Sequence, residues 1–139
     1  MKKFIYVLLV VMMMAFSSVC NASDSSDLNG EQKTIQLFLT TFKGEEAEYS
    51  ELSQDFSDGL KNIFTRVNYK GLQRSVKNNF GLLTEARFFA YERYDQNDTV
   101  VYYLAFDSNK VAQMVCTFDK NQKLVSIAMR EVNTQQQSK

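Results

Sequence analysis

Carboxylates and phenols carry whatever acid–base chemistry this chain has. It contains no histidine, which removes Ser-His-Asp and Cys-His nucleophilic arrangements, imidazole proton transfer and most zinc sites. What remains is an aspartate base paired with a tyrosine hydroxyl that donates to a developing oxyanion. Asp55, Asp58, Tyr102, Tyr103 and Asp107 are of the residue types this needs. Their settings point elsewhere. Asp55 and Asp58 lie in a polar turn where helix capping accounts for them, and Asp107 ends an extended stretch where a turn does. Glu45, Glu46 and Glu48 lack the spacing of a calcium loop. No catalytic residue, metal or cofactor is therefore assigned.

A second set of residues is suited to recognition. After Gly81 the apolar period becomes 2, predicting four strands over Thr84 to Tyr94, Thr99 to Asp107, Lys110 to Asp119 and Lys123 to Val132, joined by short polar turns. Alternation assigns Phe88, Val100, Tyr102, Leu104, Phe106, Ala112, Met114, Cys116, Phe118, Val125, Ile127 and Met129 to a core face. The opposite face receives Glu85, Arg87, Phe89, Tyr91, Arg93, Val101, Tyr103, Gln113, Val115 and Arg130, and is too aromatic for a plain solvated surface. Arg87, Phe89, Tyr91, Tyr103, Gln113 and Arg130 are its candidate ligand or interface residues, since aromatic rings beside guanidinium groups suit a subunit interface or an anionic, partly apolar ligand.

The run FFAYERY, Phe88 to Tyr94, interleaves aromatic and basic residues as base-stacking sheets do. The charge balance opposes that reading. The chain has 16 Lys plus Arg and 16 Asp plus Glu; without Lys2 and Lys3 the count is 14 against 16, a net −2, too little phosphate attraction for nucleic acid. Asn97-Asp98-Thr99 has the form of a glycosylation acceptor at a hairpin tip, with meaning only in a host that glycosylates there.

Helices must position this sheet. Ile35, Phe38, Leu39 and Phe42 fall at i, i+3, i+4 and i+7, predicting an amphipathic helix over Glu31 to Lys43 that stops at Gly44. Glu45 to Leu52 is rich in helix formers. Phe56, Leu60, Ile63, Phe64 and Val67 repeat at helical spacing with Ser57 or Asp58 as a cap. A third short helix carries Leu72, Val76 and Phe80, closed by Gly81. Helices followed by a meander predict an α+β domain, its N-terminal helices packed on a curved four-stranded antiparallel sheet.

The ends of the chain read differently. Lys2 and Lys3, the thirteen apolar residues from Phe4 to Phe16 and the small residues up to Ala22 have the layout of a secretory signal peptide over 1–22, too short to span a bilayer. Cleavage is expected after Ala22 or Ser17, and export to the periplasm or beyond follows. A lipid-bearing Cys20 is the alternative, which Val19 directly before it fits poorly. Loss of Cys20 leaves Cys116 without a disulfide partner, a buried and inert thiol. Residues 23–30, SDSSDLNG, read as a flexible polar linker, 31–132 as one domain and 133–139 as a disordered tail.

An opening helix ending KGEE, the helical stretch QDFSDGLKNIF and the closing meander together resemble small secreted bacterial domains of the nuclear transport factor 2-like, cystatin-like superfold, over Glu31 to Val132. The resemblance implies a cone whose open end or outer sheet face forms a ligand pocket or a homodimer interface. The expectation is an exported, non-enzymatic domain that binds a partner or small ligand, or self-associates, through the outer sheet face. The alternative is a small isomerase- or lyase-like enzyme using an Asp/Tyr pair in the cone mouth.

Overall fold

A computed structural model describes residues 22–133. The expected leader falls outside these residues but for Ala22, and the expected tail but for Asn133. Four helices, α1 (Ala22–Phe42), α2 (Tyr49–Leu52), α3 (Asp58–Ile63) and α4 (Arg66–Phe80), with a 3-10 turn at Ser53–Asp55, precede four strands, β1 (Leu83–Arg93), β2 (Asn97–Phe106), β3 (Val111–Asp119) and β4 (Leu124–Glu131). The strands form one open antiparallel meander in the order β1-β2-β3-β4. The α+β architecture is thus as the periodicity predicts. No helix among the described residues is long and apolar enough to cross a membrane.

The stripe Ile35, Phe38, Leu39 and Phe42 is at most 3% exposed. It packs with Leu52, Leu60, Tyr69 and Val76 from the other helices, with Phe56 from the extended link before α3, and with Val100, Tyr102, Leu104, Phe106, Ala112, Met114, Cys116 and Phe118 from the sheet, in one core. Phe38 stacks on Phe56 with ring centroids 6.3 Å apart, a geometry that adds to plain burial. The Tyr69 hydroxyl donates to the Ala47 carbonyl at 2.8 Å and lies 2.7 Å from Thr41 Oγ1, tying α4 to α1 and to the connection after it.

Local signals set the element ends. Ser57 Oγ accepts the Leu60 amide at 3.2 Å, as an N-cap does. Gly81 ends α4 at φ 91°, in the left-handed region, with a Cβ there falling 2.0 Å from Asp107 Oδ1. A side chain at position 81 is thus excluded twice, by conformation and by space.

Three expectations are corrected. Residues 23–30 belong to α1: Leu28 packs on the core, and Asp27 is held by Arg93 and Gln122, so tertiary contacts override the turn-forming composition. Val125 is 38% exposed while Leu124 is fully buried, because Thr117 pairs with Ser126 and Phe118 with Leu124, leaving Val125 as the extra residue of a bulge. Phe88 is 44% exposed, edge-on to Tyr102 on the outermost strand.

Candidate functional site

On the sheet face away from the helices, register places Arg87 opposite Tyr103, Tyr103 opposite Gln113 and Gln113 opposite Arg130. At about 4.8 Å between strands, these four side chains form a row about 14 Å long straight across the sheet. Phe89 sits beside it, 62% exposed, edge-on to Tyr103 with centroids 5.0 Å apart. Arg130 Nε donates to Gln113 Oε1 at 2.6 Å, which fixes the guanidinium and leaves its other N–H groups to a ligand. At the other end Arg87 pairs with Glu85 at 3.0 Å, both well exposed, a contact worth little in water and easily exchanged for another carboxylate. Five of the six expected surface residues therefore meet.

The sixth, Tyr91, does not. Phe88 pairs with Tyr102 and Ala90 with Val101, so Phe89 is an inserted residue. The bulge reverses the alternation beyond it: Tyr91 falls opposite Val100, and Arg93 opposite Asp98, on the helix-covered face. Both residues leave the outer face to which strict alternation assigns them.

There they join a buried polar cluster. Glu31 of α1 is 0% exposed and Asp98 2%. Lys120 Nζ donates to Asp98 Oδ1 at 3.0 Å, with Arg93 Nε at 3.6 Å from the same oxygen. Arg93 also reaches Asp27 Oδ2 at 2.6 Å, and Gln122 Nε2 donates to Asp27 Oδ1 at 2.8 Å. No donor reaches either Glu31 oxygen, so an ionised Glu31 would stand bare in the interior. Protonated, it donates to Asp98 instead, and burial first, then this bond and the nearby Asp98 and Asp27 charges, push its pKa up to about 8. Burial opposes the charge on Asp98, but the Lys120 ammonium, with the Glu31 carboxyl and the Tyr91 hydroxyl close by, outweighs it and holds that carboxyl below its ordinary value. Burial, and then the Glu31 and Asp98 charges, push the Tyr91 phenol upward.

The aspartates and tyrosines considered for proton transfer are scattered. Asp55 pairs with Lys123 at 3.5 Å, Asp58 lies exposed in the first turn of α3, and Asp107 Oδ1 accepts the Leu82 amide at 3.0 Å. Tyr102 is buried, its hydroxyl accepting from Gln32 Nε2 at 3.3 Å, while Tyr103 lies on the other face. Sequence reasoning missed Glu31 and Asp98, although Glu31 stands one turn before Ile35 on the apolar stripe of α1. A cavity of about 80 Å³ lined by Thr41, Phe42, Gln73, Val76, Lys77 and Leu82 begins ten residues further along α1, about 15 Å away at 1.5 Å per residue. Among the described residues no group of three carboxylate or thiol ligands could hold a metal ion. Comparison of the chain with protein-family models, with curated proteins and with solved structures finds no match.

Proposed function

We propose that the chain is an exported, non-enzymatic domain that docks a protein partner on its outer sheet face. The observation that carries this reading is the row Arg87–Tyr103–Gln113–Arg130 with Phe89 exposed beside it. A shallow row of two guanidinium groups, an amide and two rings matches the composition of protein interfaces, where Arg and aromatic residues are enriched. Export is supported by the basic start and short apolar run of the first twenty-two residues. The fold class is compatible with a nuclear transport factor 2-like domain, in which this face is a place for binding or dimerisation.

The enzymatic alternative needs an Asp/Tyr pair beside a substrate cavity. Asp98 and Tyr91 do converge, but beneath α1, and the cavity at Thr41 and Val76 is one that neither residue lines. The test is light scattering of the purified chain, together with photo-crosslinking from position 89 in producing cells, each compared with Arg87→Ala/Tyr103→Ala. A dimer that the double variant dissociates makes the partner a second copy. A monomer with one adduct that the double variant abolishes makes it another protein. A monomer with no adduct, or adducts indifferent to the double variant, overturns the reading.

A further inference from the structure

The apolar anchor of α1 is uneven along its length. From Ile35 to Phe42 the helix is held by four buried apolar side chains, whereas between Asp27 and Thr34 only Leu28 contributes to the core and then in part. The remaining contacts of that segment are polar. Asp27 meets Arg93 and Gln122, Gln32 meets Tyr102, and Glu31 meets Asp98. Gly30 lets the helix lie against Gln122, whose Oε1 would be 2.1 Å from a Cβ at that position.

The charged and titratable groups around Glu31 come from every element packed on it: Asp27 on its own helix, Tyr91 and Arg93 on β1, Asp98 on β2, and Lys120 in the β3–β4 turn. Among these, Lys120 and Arg93 supply two positive charges and Asp27 and Asp98 two negative ones. Among these described groups an ionised Glu31 would be a third negative charge. An ionised Glu31 places a bare charge on a side chain that is itself 0% exposed and that no donor reaches, beside the Tyr91 hydroxyl and Thr34 Oγ1, whose oxygens are likewise buried without a hydrogen-bond partner.

We infer that Glu31 and Asp98 form a proton-operated latch: with its proton, Glu31 keeps the first turns of α1 docked over Tyr91 and Asp98, and its ionisation releases those turns while Ile35 to Phe42 stay in the core. The latch is a conformational device separate from the outer face, and it uncovers a polar end of the sheet in response to rising pH.

Amide hydrogen exchange from pH 6 to pH 9, expressed as protection relative to the intrinsic rate at each pH, reads the segment directly. In the unaltered chain, protection over residues 28–34 should fall at least about tenfold more than over 36–42, and Glu31→Gln, which stays neutral and can still donate to Asp98, should abolish that difference. Identical profiles for the two chains overturn the latch. A carbon-13 titration of the Glu31 carboxyl in the unaltered chain decides independently of how the variant folds: an elevated midpoint coinciding with the loss of protection supports the latch, and a midpoint in the ordinary glutamate range overturns it.

Discussion

Replacing Glu31 by Gln should flatten the dependence of global stability on pH. In the folded state Glu31 holds its proton up to about pH 8, whereas the unfolded chain releases it near 4.5. Between those values unfolding releases a proton, so stability must fall as pH rises through the window. Each pKa unit is worth about 1.4 kcal/mol, so a rise from 4.5 to about 8 sets a ceiling of about 5 kcal/mol on that loss. Release of the first turns of α1 reduces it, because the segment can ionise without unfolding the core. Asp98 acts in the opposite sense on the acid side: its depressed pKa gives stability that is present above the unfolded value and lost as pH falls through the folded one. Urea midpoints from pH 2 to 9 should therefore show a maximum near the unfolded carboxylate values in the unaltered chain and a steady decline on its alkaline side. Glu31→Gln should remove most of that decline and leave the acid limb in place. Parallel alkaline limbs in the two chains would refute the argument, since the titrating group would then not be Glu31.

Phe38→Ala should cost about 3 to 5 kcal/mol in chemical denaturation, because the ring is fully buried and stacked on Phe56; a loss below about 1 kcal/mol would mean that the aromatic cluster collapses onto the gap. Gly81→Ala should destabilise by more than about 1 kcal/mol, since φ is 91° and Asp107 Oδ1 occupies the space of the new methyl; an unchanged melting temperature would count against that geometry. Cys116 is 1% exposed and burial pushes its thiol up to about 12, so a thiol reagent at pH 8 should label it only as fast as the protein unfolds, and rapid labelling of the folded chain would contradict the burial.

The legible parts of this protein are those fixed by local period. The stripe from Ile35 to Phe42, the stop at Gly81 and the four strands follow from spacing, and the outer row was readable because Arg87, Tyr103, Gln113 and Arg130 lie where undisturbed alternation holds. Tyr91 and Val125 were misplaced by bulges, at Phe89 and at Val125 itself, and neither bulge carries a glycine or other local mark. The buried Glu31–Asp98 pair joins residues far apart in the chain, and the start of α1 depends on Arg93 and Gln122 reaching back to Asp27. Composition registers neither. The one available signal was a carboxylate in line with an apolar helix stripe.

The placement of the register shifts bears on how copies of this chain meet. An open sheet ends in two strands with unpaired backbone groups, which can template a further strand from a neighbouring molecule. Here β1 is shifted at Leu83/Glu85 and at Phe88/Ala90, and β4 at its pairing with Thr117 and Phe118, while the interior β2–β3 ladder runs without interruption. Bulges bend an edge and break the even spacing that an incoming strand needs. The irregularities thus fall on both margins and spare the centre, so edge-to-edge polymerisation is opposed at each side.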